Sequence, residues 1–600
     1  MKKIKPIVWA VLCLPVIYAA IAAAAAYEQD ANLFDLMACF SEALKHPALL
    51  RWTAYTPKCI IGALACYGLA VTLYYSDYEN RRPGEEYGSA KWGNARKLNK
   101  RYADRDGKNV ILTKHVSIGL DGYKHRRNLN ILVVGGSGSG KTRFFCKPGI
   151  MSVNCSYLIV DPKGEMLRST GYLLKDEGYD IKVFDLIHPR QSDGYNPFTY
   201  IRDDPDVLKL MDNLVKNTTP PKGASNDPFW EKAEIALDSA LMLYLLYEAP
   251  VEEQNFEMLM FMLECARVME EDEQYQSPLD LLFQTLEERD PSHIAVREYK
   301  VYKQAAGKTA KSILISCGAR LAPFDIPQLR EIMSYDELEL DRMGDRKTAT
   351  FFVISDTDST YNFLVALAFS QMFNLLCERA DNVHGGRLPH HVRVLWDEAA
   401  NTGQVPGLEK LVAVIRSREV SLVLLYQQLA QCKAIYDKHA ETILGNMDSV
   451  VFLGGREAST IKEISENWLG KATISMQTEG RSRGQSESYN QNTQRLGREL
   501  MTPSELATMP GDKCILQLRG LPPFFSRKYD LKQHPNYRYT AEADKTKNAF
   551  DLDKLINRRR RPGLNEVCEV YEAAVPEDAL TAEDEDILSY DDIDDPDAFV

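Results

Sequence analysis

The ten-residue segment VVGGSGSGKT, at positions 133–142, constrains this chain more than any other feature. It contains the complete GxxxxGKT pattern of a phosphate-binding loop, and the apolar run at 130–134 that leads into it is typical of a buried strand. Glycine lets the backbone curl until successive amides point at phosphate groups, and the helix that follows adds its positive end. The segment therefore predicts a strand, a loop and a helix at one edge of an α/β sheet. The glycines expected to line the phosphates are Gly135, Gly138 and Gly140.

Two side chains of the loop carry the expected chemistry. We expect Lys141 to reach the β- and γ-phosphates of ATP and the hydroxyl of Thr142 to bind Mg²⁺. Such a fold also needs a second strand that ends in acidic residues, and segment 392–398, VRVLWDE, supplies it. Asp397 is predicted to bind the magnesium shell and Glu398 to polarise the attacking water, which favours ATP hydrolysis over binding alone. The alternative is a surface strand that merely ends in two acids.

Strand-like runs fall into two blocks, and a long helical stretch separates them. From about 203 to 345 apolar residues recur at helical spacing, and runs of β-branched residues are scarce. Strands that alternate with helices indicate a parallel sheet covered by helices. Lys141 and Asp397 are 256 residues apart, several times the separation that a compact nucleotide domain needs, which favours an all-helical insertion. The predicted strands are 130–134, 157–160, 182–186, 349–355, 392–396, 421–426 and 449–453.

Two apolar segments near the start, 7–26 and 59–75, are long enough to cross a membrane as helices. The first also resembles a secretory signal peptide, but it is longer than the usual apolar core of such peptides. Three basic residues precede the first segment and eight lie in 76–105, against three in 27–58. This bias places the bulk of the chain in the cytoplasm, with the protein anchored in the cell membrane.

The net charge of −13 arises mainly in a short C-terminal region, because residues 577–600 contain eleven acids and no base. The remaining chain is close to neutral, which neither forbids nor indicates nucleic-acid binding. The twelve cysteines include no CxxC pair, so reduced thiols in a cytosolic core are expected. The polar stretch 476–494 predicts a mobile loop, and 546–600, basic at 558–561 and then acidic, predicts a disordered tail.

Further polar residues flank the predicted strand 421–426. Arg416 and Arg418 lie just before it, where an arginine can reach the nucleotide of a neighbouring subunit in a ring; solvent-facing arginines are the alternative. Gln427 follows the strand, where a glutamine can contact the γ-phosphate; a plain amide at the edge of the core is the alternative.

The chain resembles the membrane-anchored coupling ATPases of type IV secretion and conjugation, the TraG/TraD-type family. The likeness covers two N-terminal spans, the phosphate loop, the arginine segment and most of the chain between and beyond them. The matching motifs are DPKGE at 161–165, NPF at 196–198, DPFWEKAE at 227–234, LWDEAANTG at 395–403, QQLAQCKAIY at 427–436 and the block RELMTPSELATMPGDKCILQLRGLPP at 498–523.

The resemblance implies a RecA-like P-loop NTPase with an inserted all-α domain, assembled as a homohexameric ring around a channel. Arg416 falls where the family has its trans-acting arginine, and Gln427 where it has its strand-end glutamine. The implied organisation is a membrane anchor (1–80), a RecA-like domain in two parts (81–202 and 346–545), the inserted domain (203–345) and the tail (546–600). The implied partners are single-stranded DNA bound by a relaxase, in a relaxosome, and the proteins of the secretion channel.

Two other functions remain open on the sequence. One is an adaptor that recruits protein effectors to a secretion channel and uses ATP for assembly. The other is a double-strand chromosome translocase, which shares the anchor, the fold and the ring. The large helical insertion, together with the lack of an obvious winged-helix domain near the C-terminus, favours the coupling ATPase over the translocase.

Overall fold

A computed structural model describes residues 6–26, 52–81, 85–219, 228–269, 275–305, 307–483 and 487–552. The basic residues at 558–561 and the acids of 577–600 lie outside these ranges, so the predicted disorder of the tail stays a prediction. The described structure continues past the predicted boundary at 545, through the short helix Lys545–Asn548 to the buried ring of Phe550.

In the described residues, nine strands form one sheet in the order β13-β12-β9-β3-β8-β7-β4-β6-β5. The seven strands from β9 to β5 are parallel, and the last two, β12 and β13, extend one side of the sheet in antiparallel pairing. This arrangement confirms the predicted α/β fold. The strands are β1 Asn109–Ile111, β2 Ser117–Gly119, β3 Ile131–Val134, β4 Ser156–Pro162, β5 Asp180–Asp185, β6 Thr348–Ile354, β7 Val392–Trp396, β8 Val420–Tyr426, β9 Ser449–Phe452, β10 Lys471–Arg483, β11 Glu487–Glu499, β12 Lys513–Leu518 and β13 Phe524–Arg527.

The central strands are buried on both faces, as their continuous apolar sequences predict. β3 and β8 run side by side in register, with Ile131 opposite Val423 and Val134 opposite Tyr426. All four residues of β3 and all seven of β8 are buried. Because parallel strands end at the same edge, the residues that follow β3, β8, β7 and β4 meet there; we call it the carboxyl edge and the opposite one the amino edge.

Helices cover both faces of the sheet, and most of those between β5 and β6 pack with one another. The side chains of this helical stretch share a continuous apolar core with one face of the sheet. The helices are α1 Pro6–Ala26, α2 Thr56–Arg81, α3 Ala95–Tyr102, α4 Gly122–His125, α5 Lys147–Met151, α6 Glu165–Asp176, α7 Asp204–Thr218, α8 Pro228–Glu248, α9 Phe256–Glu264, α10 Pro278–Arg289, α11 Ile294–Lys303, α12 Lys308–Leu321, α13 Pro327–Met333, α14 Phe363–Asn382, α15 Leu408–Val414, α16 Leu429–Tyr436, α17 Ala440–Gly445, α18 Ala458–Glu463, α19 Pro503–Ala507 and α20 Lys545–Asn548.

Three described helices are long and apolar enough to cross a membrane: α1, α2 and α14. Helix α14 is two thirds buried within the protein, which is the expected position of a helix that covers a sheet. In contrast, α1 and α2 expose most of their apolar side chains and pack on each other, with the Tyr67 hydroxyl donating to the Trp9 carbonyl (2.6 Å). The two N-terminal helices are therefore the candidates for membrane spans.

The prediction of a mobile loop over 476–494 is wrong. Strands β10 and β11 form an antiparallel hairpin in which Lys471 lies opposite Glu499 and Arg483 opposite Glu487. Segment 88–90 adds to its base, since Thr473 N donates to Gly88 O (3.1 Å) and Ala90 N to Lys471 O (3.0 Å). The described side chains of the hairpin are partly or fully exposed, and apolar residues alternate with polar ones only at Ala472, Ile474 and Met476, so little periodic signal marks the two strands in the sequence.

Candidate nucleotide-binding site

The phosphate loop leaves β3 at the carboxyl edge and is tied to both neighbouring strands. Gly135 N donates to Tyr426 O at the end of β8 (3.1 Å), and Gly136 N donates to Gly454 O just after β9 (2.9 Å). Gly140 has φ of +82°, and a Cβ built there lies 2.4 Å from the ring of Phe144. Glycine is therefore required at this position by both backbone conformation and space.

The loop leads directly into a π-helical turn, Thr142–Cys146, before α5 begins. Such turns are rare and are frequently found at functional sites. Lys141, 8% exposed, donates from Nζ to Gly135 O (3.1 Å), so its ammonium folds back over the loop that it closes. The hydroxyl of Thr142 donates to Asp397 Oδ2 (2.8 Å). Residues 255 positions apart thus meet at one point of the carboxyl edge.

Asp397 is 3% exposed at the end of β7. Burial raises its pKa, and the Thr142 hydroxyl and the Lys141 ammonium oppose that rise because they stabilise the ionised form. The carboxylate and the hydroxyl are hard oxygen donors, the ligands that Mg²⁺ prefers. Asp397 and Thr142 therefore fit a magnesium site of the type expected from the sequence.

Glu398 follows in the left-handed region with φ of +50°, and its backbone N donates to Asp397 Oδ1 (3.0 Å). Its carboxylate accepts from Asn401 Nδ2 (3.0 Å) and remains partly exposed. A non-glycine residue in this conformation is uncommon, and such strain clusters at functional sites. The backbone turn separates the two acids: Asp397 is directed into the protein, and Glu398 stays accessible to solvent.

Gln427 follows β8, the strand that lies between β3 and β7. It is exposed, and its backbone N donates to Gln431 Oε1 (2.9 Å) at the start of α16. The strand order therefore places Gln427 between the phosphate loop and the acidic pair. The structure brings Lys141, Thr142, Asp397, Glu398 and Gln427 to one edge of the sheet.

Arg416 and Arg418 lie at the opposite edge, because they precede β8. β8 has seven residues and spans about 23 Å, so neither arginine can reach the phosphate loop of its own chain. Arg418 binds Asp381 through Nε (3.1 Å) and Nη2 (2.7 Å). Among the described residues Arg416 makes a single long hydrogen bond, from Nη2 to Gly122 O (3.4 Å). The two predicted arginines are thus held very differently.

Basic residues line a cavity at α4, the helix whose Gly122 O accepts from Arg416. This cavity, of about 410 Å³, opens close to α4 and to the start of β3. Asp104 pairs with Lys124 and Asp448 pairs with Arg127, and the remaining positive charges exceed the acids. The lining residues are Arg101, Tyr102, Lys124, His125, Arg126, Arg127 and Arg519.

Sequence reasoning did not assign roles to Asp161 or Lys528. Asp161 ends the apolar part of β4 beside β7; it accepts from Met166 N (3.0 Å) and Leu167 N (2.7 Å), and burial raises its pKa to about 7. The motif DPKGE marked its position but not its role. Lys528 follows β13 and donates from Nζ to Ser139 O in the phosphate loop (2.8 Å). Sequence spacing alone cannot reveal this contact, which spans 389 positions.

The described fold is similar to solved coupling-protein structures. The bacterial conjugative coupling protein TrwBdeltaN70 matches with a TM-score of 0.55 and 18% identity, over 76% of this chain and 97% of that chain. The plasmid coupling protein TrwB in complex with ADP and Mg²⁺ matches with a TM-score of 0.53 and 18% identity, over 76% and 98%. At these identities the likeness concerns the fold.

Two curated relatives have related sequences. Protein VirD4 of Agrobacterium fabrum is 22% identical over 408 residues, 66% of this chain and 58% of the relative. Conjugal transfer protein TraG of Escherichia coli is 22% identical over 435 residues, 69% of this chain and 65% of the relative. The match thus spans less than two thirds of either relative.

A sequence family defined by its role in DNA transfer covers most of the chain. Residues 85–550 match the family described as type IV secretory system conjugative DNA transfer, and this range contains the phosphate loop, the acidic strand and the arginine segment. The match extends over far more than half of the 600 residues. The chain therefore belongs to the type IV secretory system conjugative DNA transfer family.

Proposed function

We propose that this protein is a membrane-anchored ATPase that couples a relaxase–DNA substrate to a type IV secretion channel and drives transfer of the single DNA strand in conjugation. The observation that carries the proposal is the contact between Thr142 and Asp397 (2.8 Å), with Lys141 in the adjoining loop. Family membership supports the setting, and the related TrwB structure with ADP and Mg²⁺ supports the choice of ligands.

Each residue of the carboxyl edge has a distinct task in this proposal. Lys141 and the amides of the loop bind the β- and γ-phosphates, and Thr142 and Asp397 hold Mg²⁺, which neutralises charge on the phosphates. Glu398 accepts a proton from the attacking water, because it is the acid of the pair that stays accessible. Gln427 contacts the γ-phosphate and transmits its loss to α16 through Gln431.

Arg416 completes the site of a neighbouring chain. It lies about one strand length from its own phosphate loop and is only weakly held, so it is free to contact an anion supplied from outside. The basic cavity at α4, the helix that Arg416 contacts through Gly122 O, adds positive charge, which suits a triphosphate. In a ring of six chains packed head to tail, every Arg416 lies next to the nucleotide site of a neighbouring chain.

The remaining parts serve the same task. Helices α1 and α2 cross the cell membrane and keep the body, from 81 onward, in the cytoplasm. The helices within 203–345 form an inserted domain that recognises the substrate. The strand of DNA is held in the central channel through its phosphates, without sequence preference and with marked dependence on salt.

A direct test measures ATP hydrolysis by the full-length protein in detergent or lipid nanodiscs, alone and with single-stranded or double-stranded DNA. We expect hydrolysis that depends on Mg²⁺ and rises several-fold with single-stranded DNA. Lys141→Ala should abolish it, since the ammonium that binds the phosphates is lost. Lys438→Ala, at an exposed lysine, is the matched control and should leave it unchanged.

Three results would redirect the proposal. ATP hydrolysis that is stimulated by neither single-stranded nor double-stranded DNA would favour the adaptor that recruits protein effectors. Stimulation by double-stranded DNA alone would favour the chromosome translocase. Equal activity in wild type and Lys141→Ala would show that the phosphate loop is not the active site, and the proposed function would then be wrong.

A further inference from the structure

A buried lysine from the C-terminal part of the body lies beneath the phosphate loop. Lys528 is 7% exposed and follows β13, the outermost strand of the sheet. β13 runs in the direction of β9 because both pair in antiparallel with β12, so its end reaches the carboxyl edge. The backbone N of Lys528 donates to Asp512 O (2.9 Å), which fixes where the side chain begins. The fold thereby places the ammonium group of Lys528 next to the phosphate loop.

The ammonium makes one specific contact with the loop. Nζ donates to Ser139 O (2.8 Å) and lies 5.5 Å from the centre of the Phe144 ring. In the described residues no carboxylate lies within 4.0 Å of it. Burial lowers the pKa of Lys528 from its usual value, which is the cost of keeping a charge in this place. A buried ammonium that is bound only to a neutral carbonyl lowers the stability of the fold, so its presence indicates a role at the site.

The stereochemistry of the peptide bond shows what this contact does. Ser139 O and Gly140 N belong to one planar trans peptide, so the carbonyl and the N–H point in opposite directions. Lys528 binds the carbonyl end, and the N–H of Gly140 is therefore directed away from Lys528, as expected of a loop amide that faces the phosphates. The Phe144 ring packs where a Cβ of Gly140 would lie, so the same peptide is restrained from a second side.

We propose that Lys528 is a positioning residue for the nucleotide: it holds the Ser139–Gly140 peptide so that the Gly140 N–H faces the phosphates before the ligand arrives. The inference rests on the proposed nucleotide site. It does not depend on DNA transport, on the ring or on the trans-acting arginine. Preorganised amides bind an anion without the cost of turning them at the moment of binding.

Such a role predicts weaker nucleotide binding with little change in turnover. The peptide contacts phosphates in both the bound state and the transition state, so its loss acts on binding alone. Lys528→Met keeps the length of the buried stem and removes the charge. We expect its KM for ATP, and its Kd for a fluorescent non-hydrolysable ATP analogue, to rise about tenfold while kcat stays within about twofold. Lys528→Arg should recover part of the affinity.

The experiment uses the full-length protein, with Lys532→Met as the matched control at an exposed lysine four positions later. Melting temperatures of the nucleotide-free proteins show whether any variant fails to fold. Unchanged affinity in a folded Lys528→Met overturns the inference, as does a fall in kcat at constant KM. Lack of affinity for the analogue in the wild type overturns both the inference and the proposed site. If the wild type binds the analogue tightly but does not hydrolyse ATP, the proposed ATPase activity is wrong. The role of Lys528 is then decided by the Kd values of wild type and Lys528→Met.

Discussion

The two edges of the central sheet differ in how firmly a single chain holds their charged side chains. At the carboxyl edge Asp397 is buried and bound by Thr142, and the phosphate loop is tied to the ends of two strands. At the amino edge Arg416 is partly exposed and makes one long hydrogen bond. The groups at the carboxyl edge are thus already held in place in the isolated chain. At the amino edge, in contrast, Arg416 has no acidic partner among the described residues of its own chain.

This difference suggests how the catalytic apparatus is divided. Each chain has the phosphate loop at one edge and Arg416 at the other, and these edges face in opposite directions along the strands. One chain cannot bring the two together without unfolding β8, but a head-to-tail neighbour can. If the catalytic groups are divided in this way, a variant that lacks a group at one edge should regain activity when a neighbouring chain supplies that group. A substitution at either edge should leave the fold unchanged.

After the complete loss expected for Lys141→Ala, the largest effect is expected from Arg416→Ala. Removing an arginine supplied in trans should lower kcat by about 10³-fold, because developing charge on the phosphates is no longer stabilised. Arg418→Ala is the matched control and should cost only a few-fold, since Arg418 is already paired with Asp381. The measurement is steady-state ATP hydrolysis with single-stranded DNA.

Mixing variants tests the division directly. Arg416→Ala chains keep an intact phosphate loop, and Lys141→Ala chains keep an intact arginine. Mixed rings should therefore recover part of the activity that each variant lacks alone. No recovery at any ratio, in rings shown to contain both chains, would place the arginine outside the neighbour's site.

The next effect concerns the base at the carboxyl edge. Glu398→Gln should lower kcat by about 10²–10³-fold while ATP still binds, because the amide cannot accept the proton of the attacking water. Binding of a fluorescent ATP analogue separates these outcomes. Glu466→Gln, at an exposed position, is the control. A Glu398→Gln variant that turns over normally would assign the base to another residue.

A smaller effect is expected at the strand between the loop and the acids. Gln427→Ala should lower kcat about tenfold, because one hydrogen bond to the γ-phosphate is lost in the transition state. The control is Gln477→Ala on the exposed hairpin, which should match the wild type. If both variants behave alike, Gln427 is only an amide at the edge of the core.

The smallest expected effect is a difference between the two edges in how the free energy of unfolding depends on pH. Burial raises the pKa of Asp161 to about 7, so its stabilising contribution is present below its unfolded value near 4 and is lost as pH rises through about 7. His391 and Arg387 lower the pKa of Glu419 despite its burial, so its contribution is present above about 4.5 and is lost as pH falls. Their effects on the free energy of unfolding should therefore change with pH in opposite directions.

Unfolding by denaturant at several pH values between 4 and 8 checks this contrast. The cost of Asp161→Asn should be larger at pH 5 than at pH 8, and the cost of Glu419→Gln should be larger at pH 8 than at pH 4. The change for Asp161→Asn should be on the order of 1 kcal/mol or more, and the change for Glu419→Gln is expected to have the opposite sign. Parallel pH profiles for the two variants would contradict the electrostatic difference between the edges.

The sequence predicted the sheet well where apolar runs were continuous. Each of the seven predicted strands is present, and β7 has the predicted bounds although Arg393 interrupts its apolar run, because a parallel strand buried on both faces leaves a largely apolar signal. It did not predict β12 and β13, whose antiparallel pairing at the side of the sheet follows from tertiary contacts. It also missed the β10–β11 hairpin, since most of its described residues are polar and exposed and the apolar alternation is confined to 472–476.

The same limit applies to the site. Lys141, Thr142, Asp397 and Glu398 follow from local motifs, because each occupies a fixed position after a strand. The family resemblance already singled out Arg416, and the structure adds the physical difference, because Arg418 is paired with Asp381. Lys528 and its contact with Ser139 depend on how the sheet is extended after β9, which no spacing in the sequence encodes.

The late position of Lys528 in the chain has a consequence for biosynthesis. The phosphate loop is translated early, its acidic partner on β7 some 250 residues later, and the lysine beneath the loop later still. A nascent polypeptide emerging from the ribosome thus carries the loop long before it has the groups that shape and complete it. If Lys528 has the proposed role, the nucleotide pocket is completed only when nearly the whole body has been synthesised.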